Sequence, residues 1–291
     1  LAHLQHDSLM VTVGQQVAVG QNLARCGNSG RSPQPHLHLH VQADDQLGSP
    51  TVPFHLTSVL TEDGQFSMFC RPKVGDRLRP AAPSPTLGKA LHFPVGRQLH
   101  YQVGLGLSGR STRQERSISV ELDLVGQFWF CSDSGSRVAF VEKPDFLALF
   151  ARCHQRDFFL DAFTLALGVV PLCLDVEAWQ DRPAATLASQ ASWWTGGNLQ
   201  SNYDRRWDLT SQCWIISADH GPVQTWAHIS EEWGPVKFGV AKGSQLLLEA
   251  RLDQVGLAAD FGIAGWRQKV PGVAKSDCGP WQGGTLMGAH V

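Results

Sequence analysis

The chain has 291 residues, which is long enough for two domains that each bury a core. Acidic and basic residues nearly cancel, and the formal net charge of −2 gives no excess of positive charge that would favour a nucleic-acid partner. The seven cysteines include no C-x-x-C pair, which argues against a zinc ribbon or a thioredoxin-type redox motif.

The first 30 residues carry turn signals around short apolar stretches. His3 stands in the segment Leu1-Ala2-His3-Leu4. Gly14 and Gly20 then punctuate an alternating apolar segment, as glycines do in β-hairpins, and Asn28-Ser29-Gly30 is a further turn signal. These residues therefore predict a β-rich start with tight turns.

A histidine run follows at residues 36–40, with the sequence His-Leu-His-Leu-His. In a β-strand, residues two apart lie on the same face, roughly 6 to 7 Å from each other. We expect His36, His38 and His40 on one face, and Leu37 and Leu39 on the other, in a core. One imidazole could hold a metal ion while its neighbour faces the metal-bound water. Taken alone, however, histidines on a strand are more often partly exposed polar residues than metal ligands.

Four separated elements, at residues 1–4, 11–21, 27–32 and 36–40, occur in the order found in one peptidase family. This order resembles the C-terminal half of the lysostaphin/LytM-like zinc metallopeptidases of family M23, over about residues 1–57 of this chain. The resemblance implies that His38 is a zinc ligand. It also implies that His3 and His36 are non-ligand histidines that orient the attacking water and stabilise the oxyanion. His40 departs from the family pattern, where an acidic or polar residue is usual; it is either a partner that orients a ligand or a solvent-facing replacement, and we favour the second.

The resemblance also implies two zinc ligands that this sequence does not supply. The family places them in a His-x-x-x-Asp segment ahead of the element that contains His3. We therefore interpret the chain as an N-terminally truncated piece that is inactive as given, with Zn²⁺ bound only in the complete parent protein. Substitute ligands such as His6-Asp7, His154 with Asp157, and Asp219-His220 have ordinary explanations as turn or surface residues.

The Pro-rich residues 79–87 predict a semi-rigid linker. The expected division is the C-terminal part of a peptidase domain at 1–78, the linker at 79–87, an accessory α+β domain of unknown function at 88–260, and a loose tail at 261–291. The fold class we expect is mainly β. It combines the remnant of an M23 β-hairpin and β-sandwich with an antiparallel sheet and one or two helices.

The accessory region alternates as strands do. Ile118, Val120, Leu122 and Leu124 are expected on one buried face. Further strands are expected at 128–130, 137–141, 213–216, 223–229, 236–240 and 245–252. A helix is expected from Pro144, because apolar residues recur at helical spacing from 146 to 153, and residues 158–168 would prolong it or form a second helix.

Two apolar features of the sequence are compatible with more than one function. Residues 158–174 are too short and too interrupted for a membrane span and predict a buried helix. The aromatic residues Trp193, Trp194, Tyr203 and Trp207 could stack on sugar rings, but core packing is the favoured interpretation.

The expected function is therefore hydrolysis of peptide cross-links in bacterial peptidoglycan by the parent protein, in the periplasm or outside the cell. The expected partner is a cell-envelope peptide rather than nucleic acid. The first alternative is a non-catalytic M23-like domain that acts as a scaffold or activates another cell-wall hydrolase. A biotinyl-type or lipoyl-type carrier or an efflux adaptor, which shares the hairpin pattern, is disfavoured because no attachment-lysine turn follows the hairpin.

Overall fold

The computed structural model describes residues 1–18, 20–46, 48–106, 112–153, 156–181, 200–257 and 267–270. The chain divides into two compact units, Leu1–His55 and Leu56–Val291. The predicted division falls later, at residues 79–87, and it stays a prediction about domain organisation.

The N-terminal unit contains little regular secondary structure. Strands β1 (Val41–Gln42) and β2 (Thr51–Val52) pair antiparallel. Isolated antiparallel bridges join Ala2 to His38 and Leu4 to Cys26. None of the described residues in 1–55 is fully buried. The unit therefore holds its shape by local backbone hydrogen bonds rather than by a packed core.

The C-terminal unit begins with a small sheet. Its strands are β3 (Leu56–Thr61), β4 (Phe66–Cys70) and β5 (Leu78–Pro80), in the order β4-β3-β5. Helix α1 (Pro85–Ala90) follows, and the Ser84 hydroxyl accepts a hydrogen bond from the amide of Leu87 at its start. The residues predicted as a linker thus form an edge strand and a helix start, which are two places where proline is tolerated because no backbone N–H is needed there.

A large antiparallel sheet makes up most of the unit. Its first six strands are β6 (Arg97–Leu105), β7 (Thr112–Leu122), β8 (Phe128–Ser132), β9 (Arg137–Lys143), β10 (Phe146–Cys153) and β11 (Val169–Pro171). Its later strands are β12 (Ala178–Asp181), β13 (Ser201–Asp208), β14 (Cys213–Asp219), β15 (Gln224–Ser230), β16 (Gly234–Lys242), β17 (Gln245–Leu257) and β18 (Arg267–Lys269).

The sheet consists of two meanders joined in the middle. Within β6 to β11 every strand pairs with its neighbour in sequence, and the same holds within β12 to β17. The meanders meet where β6 pairs antiparallel with β17. The short strand β18 pairs antiparallel with residues 254–256 of β17. Because neighbours in sequence are neighbours in space, short turns suffice for most connections.

Helix α2 (Phe158–Leu167) is the centre of the core. Nine of its ten residues are buried, and it packs against β9, β14, β15 and β16. The Phe159 and Phe163 rings lie 5.5 and 5.4 Å from the ring of Phe238 in β16. An apolar helix of this kind needs a sheet on several sides, and strands from both meanders supply it.

Buried polar groups fix the ends and the middle of α2. Asp157 caps its first turn by accepting hydrogen bonds from the amides of Phe159 and Leu160. At its last turn, Tyr203 in β13 donates a hydrogen bond to the carbonyl oxygen of Leu165 at 2.9 Å. Within the helix, burial raises the pKa of Asp161, while the guanidinium of Arg152 in β10, 2.9 Å away, opposes the shift.

Arg205 in β13 ties the two outer parts of the sheet together. Its buried guanidinium donates hydrogen bonds to the carbonyl oxygens of Pro171, Cys173 and Val176 at 2.5, 2.6 and 2.5 Å. Pro171 belongs to β11, at the opposite end of the strand order from β13. The sheet therefore curves until its ends approach each other around α2.

The predicted fold class is confirmed: the chain is mainly β, with antiparallel sheets and two described helices. The later strand predictions, at 213–216, 223–229, 236–240 and 245–252, match β14, β15, β16 and β17 to within one residue at Val223. Residues 158–167 form a buried helix, as expected. None of the described helices is long and apolar enough to cross a membrane.

Two expectations within this region were wrong. Residues 146–153 form strand β10 instead of a helix. Ile118 and Val120 are buried as predicted, but Leu122 is 48% exposed at the end of β7 and Leu124 is fully exposed. Leu124 lies in a turn, where Asp123 accepts hydrogen bonds from the amides of Val125 and Gln127.

The four aromatic residues with a possible role in sugar stacking fall into two groups. Tyr203 is buried and stacks on Trp179, with ring centroids 5.4 Å apart, and Trp207 packs edge-on against Trp214. Trp193 and Trp194 lie outside the described residues.

Candidate functional site: a histidine cluster in the N-terminal unit

The segment that carries His3 lies between two neighbouring stretches of chain. On one side Ala2 and His38 exchange backbone hydrogen bonds of 2.9 and 3.3 Å. On the other side the amide of Gly27 donates to the carbonyl oxygen of His3 at 2.9 Å. The three elements singled out in the sequence are thereby placed side by side.

Gly27 permits the close approach on that side. A Cβ atom at this position would overlap the backbone nitrogen and Cα of Gln5. The glycine is therefore required because another backbone occupies the space of a side chain.

Four imidazole rings come together as a result. The ring centroid of His3 lies 4.7 Å from that of His36 and 5.8 Å from that of His38. The rings of His38 and His40 are 5.4 Å apart. The structure thus brings together the three predicted site residues and adds His40 at the edge of the group.

Two of these histidines have one nitrogen anchored by a backbone carbonyl. The Nδ1 atom of His3 is 2.7 Å from the carbonyl oxygen of Ser29, and that of His36 is 2.8 Å from the carbonyl oxygen of Gln34. A carbonyl oxygen only accepts hydrogen bonds, so Nδ1 must carry the hydrogen in each ring. In the neutral form the lone pair of each imidazole is therefore on Nε2, which is left to accept a proton.

His3 reaches this position through an uncommon backbone conformation. Its φ angle is +59°, in the left-handed region that most side chains avoid. The bond from its ring to Ser29 and the backbone bond to Gly27 hold it there. Strained backbone at a polar cluster is a common feature of functional sites.

Ser32 supports the anchored ring of His36 and was not singled out from the sequence. Its hydroxyl donates to the carbonyl oxygen of Gln34 at 2.7 Å, and its oxygen lies 3.1 Å from Nδ1 of His36. Hydrogen bonds to main-chain carbonyl oxygens cannot be predicted from residue types, since every residue has such an oxygen. The only available signal was the turn-forming composition around Ser29 and Ser32.

His38 and His40 differ from the anchored pair. The ring nitrogens of His38 make no hydrogen bond to any described residue, and its side chain is exposed. His40 is also exposed, and its Nε2 lies 2.7 Å from the side-chain oxygen of Gln42. Of the four rings, His38 is thus the one with both nitrogens available.

A catalytic zinc site needs three protein ligands and an open position. Within the part of the chain that the structure describes, no group of three His, Cys, Asp or Glu side chains is arranged to hold a metal ion. The described residues therefore do not form a complete zinc site by themselves.

The substitute ligands considered from the sequence have other partners. His6 and Asp7 form a 2.9 Å pair that is about nine-tenths exposed. His220 is fully buried, between the hydroxyls of Ser201 at 2.7 Å and Thr225 at 2.9 Å. Asp157 caps α2, as described above, and His154 lies outside the described residues.

Leu37 and Leu39 do not lie in a core, contrary to expectation. Their exposed fractions are 52% and 49%. The rings of His36, His38 and His40 do lie in one cluster, but residues 36–40 pair only through the isolated bridge at His38, and no described part of the N-terminal unit covers Leu37 and Leu39. Pattern alone predicts which residues share a face and not whether that face is covered.

Comparison with known proteins concerns this same unit. The family model described as peptidase family M23 matches residues 1–50. No curated protein matches the chain. The match includes His3, His36, His38 and His40 and supports a peptidase of this family. Residues 1–50 are thus similar to a segment of peptidase family M23.

Proposed function

We propose that this chain carries part of the active site of a zinc-dependent M23 endopeptidase that cuts peptide cross-links in bacterial peptidoglycan. The observation that carries the proposal is the meeting of His3, His36 and His38, with ring centroids of 4.7 and 5.8 Å from His3. The proposed location is the periplasm or the cell exterior, because this substrate lies there.

In this proposal His38 is a zinc ligand. It has both ring nitrogens available, and neutral imidazole is a frequent zinc ligand. Bound zinc would lower the pKa of a coordinated water toward neutrality and polarise the scissile carbonyl. The other two ligands would come from residues other than those that the structure describes.

His3 and His36 act as the proton carriers and hydrogen-bond donors of the site. Their anchored Nδ1 atoms fix the ring orientation, so each Nε2 takes a proton when neutral and donates one when charged. The protonated form stabilises negative charge on a tetrahedral intermediate. Both roles depend on Ser29 and Gln34 as carbonyl acceptors.

Zinc binding by the 291-residue chain gives the first test. We expect less than one zinc ion per chain after dialysis, as measured by elemental analysis, because the described residues offer no set of three ligands. Weak binding at millimolar zinc should shift the ring NMR signals of His38 first, and His38→Ala should remove the effect. His6→Ala is the control, since His6 is exposed and lies outside the cluster. Stoichiometric zinc in the wild-type chain would contradict the incomplete site.

Catalysis is tested in a protein that joins this chain to a complete set of zinc ligands. Peptidoglycan hydrolysis should fall at least about 100-fold in His3→Ala, His36→Ala and His38→Ala, because each variant removes a proton carrier or a ligand. His6→Ala should keep its activity. If His38→Ala hydrolysed peptidoglycan at the wild-type rate, the assignment of His38 would be wrong.

A second function is favoured by the absence of three arranged ligands among the described residues. A non-catalytic M23-like domain would bind envelope peptides or activate another hydrolase without zinc. Stimulation of a separate cell-wall hydrolase by the wild-type chain and by His38→Ala alike would support this function and exclude the catalytic one.

A further inference from the structure

A buried carboxylate without a partner lies in the large sheet, away from the histidine cluster. Asp253 in β17 is 8% exposed. Its side chain has no hydrogen bond or ion pair with any described residue. The two carboxylate oxygens keep contact with solvent, so the unpaired charge is open to a partner that approaches from the cavity.

A β-bulge places this side chain. The register between β17 and β6 shifts at Asp253, since Leu252 pairs with Tyr101 and Gln254 pairs with His100. Asp253 is the extra residue of the bulge. Bulges re-aim side chains and are frequent beside ligand sites.

Asp253 lines an open cavity of about 380 Å³ with other charged residues. The lining residues that matter here are His100, Glu115, Arg116 and Asp133. The carboxylates of Glu115, Asp133 and Asp253 carry three negative charges, and Arg116 carries one positive charge. When His100 is neutral, the formal charge of the lining is therefore −2. The cavity therefore attracts a cation.

The guanidinium of Arg116 is not available to Asp253. Its Nε donates to Asp133 at 2.7 Å, and its Nη2 donates to Asp157 at 2.9 Å and to the hydroxyl of Ser132 at 3.0 Å. Lys269, in the strand paired with this part of β17, forms no ion pair with a described residue. The missing partner of Asp253 is thus not supplied by these neighbouring cations.

We propose that this cavity binds an alkylammonium group, such as a lysine side chain or a linear amine, with Asp253 as its counter-ion. A metal ion fits less well, because no three acidic, histidine or cysteine side chains among the described residues are arranged to hold one. An ammonium group needs only one or two carboxylates and donates three hydrogen bonds. Glu115, whose carboxylate accepts from Gln102 at 3.1 Å, is the second acid within the cavity. The proposal goes beyond the peptidase assignment and does not depend on it.

Calorimetric titration of the 291-residue chain with Nα-acetyl-lysine amide tests the proposal. The wild-type chain should bind this probe saturably, whereas the Nε-acetylated analogue, which lacks the charge, should not bind. Asp253→Asn keeps the shape of the side chain and should weaken binding at least tenfold. Glu231→Gln is the matched control, because it removes one acidic charge at an exposed position without a described side-chain partner, and it should leave the affinity unchanged.

Three results would overturn the proposal: equal affinity in Asp253→Asn and the wild type, equal binding of the neutral analogue, or displacement of the probe by stoichiometric Ca²⁺ or Mn²⁺. Asp253→Asn should fold, with a melting temperature equal to or above that of the wild type, since it removes an uncompensated charge. If it does not fold, Glu115→Gln replaces it and should weaken binding at least threefold; an unchanged affinity in that variant would also reject the site.

Discussion

At the scale of single residues, the hydrogen-bond partners of a histidine determine whether one of its ring nitrogens stays available. The two units differ in this respect. His3 and His36 are anchored at Nδ1 by carbonyl oxygens and keep Nε2 available. His220 has hydroxyl groups on both nitrogens and is fully buried. The sequence around His220 indicated a turn or surface residue. His220 does lie in the turn between β14 and β15, but its burial was not predicted, because burial by distant elements leaves no local signal.

The environment of His220 makes stability depend on pH. Burial lowers its pKa from 6.5 to about 4 in the folded chain, so the folded state favours the neutral ring. Between these values the unfolded chain binds the proton and the folded chain does not, and stability is lost as the pH falls from about 6.5 to 4. The full contribution is about 3 kcal/mol. Urea denaturation at several pH values measures it.

The matched variant for that measurement is His220→Gln, which removes the titrating ring. Other buried acids also titrate at low pH, so the informative quantity is the difference between the two proteins. The free energy of unfolding of the wild type should fall more steeply between pH 6.5 and 4 than that of the variant. Parallel curves for the two proteins would show that His220 does not carry this dependence.

Arg205 gives a second prediction at this scale. Burial lowers the pKa of its guanidinium to about 10, so it stays charged at neutral pH while it serves three carbonyl oxygens. Arg205→Met should lower the free energy of unfolding by about 3 kcal/mol or more, because those acceptors lose their donor in a buried position. Arg206→Met, at the exposed neighbouring position, should change it by less than about 0.5 kcal/mol. Comparable losses in both variants would contradict the role of Arg205.

At the scale of elements, the strands in the second half of the large sheet were predictable from the sequence, and β10 was not. Cys213 to Leu252 contains successive alternating strands that the pattern located well. In β10, by contrast, Phe146, Leu147, Ala148 and Leu149 are all buried. The residues at helical spacing are therefore only some members of a continuous apolar run. Short apolar runs do not distinguish a strand from a helix by periodicity.

Gly27 supplies a prediction about the element that carries His3. Gly27→Ala should disrupt the pairing of residues 2–5 with residues 25–27, because the added methyl group overlaps the backbone of Gln5. The NMR signals of the Gly27 amide, which donates to the carbonyl oxygen of His3, and of the His3 and His36 rings should shift.

The control for this variant is Gly88→Ala in helix α1, where nothing lies within 4 Å of the added atom. That change should raise stability by about 0.5 to 1 kcal/mol, because alanine is the better helix former. If the NMR spectrum of Gly27→Ala kept the wild-type His3 and His36 signals, the close approach at Gly27 would not determine the arrangement of the cluster.

At the scale of the whole chain, the two units are stabilised by different means. The C-terminal unit buries an aromatic and aliphatic core around α2, whereas none of the described residues in 1–55 is fully buried. The sequence predicted the β class of the C-terminal unit, and the family resemblance implied that His3, His36 and His38 share one site. It did not predict how far the leucine face of residues 36–40 is covered, since that depends on which other segments pack there.

This contrast predicts a difference in hydrogen exchange, measured by mass spectrometry of peptic peptides. Peptides from 1–55 should exchange close to unstructured rates, because exposed local hydrogen bonds open at little cost. Peptides from β6, β17 and α2 should show the slowest exchange in the chain. Equal protection in peptides from both units would contradict the difference in packing.

The enclosure of α2 has a consequence for synthesis on the ribosome. The helix ends at Leu167, but β14, β15 and β16, which cover it, begin only at Cys213. At roughly 5 to 20 residues per second, this apolar segment emerges several seconds before its cover is translated. During that interval the nascent chain presents Phe159, Phe163 and their neighbours to solvent. Co-translational chaperone binding should therefore be concentrated on this window, and release should follow the emergence of β16.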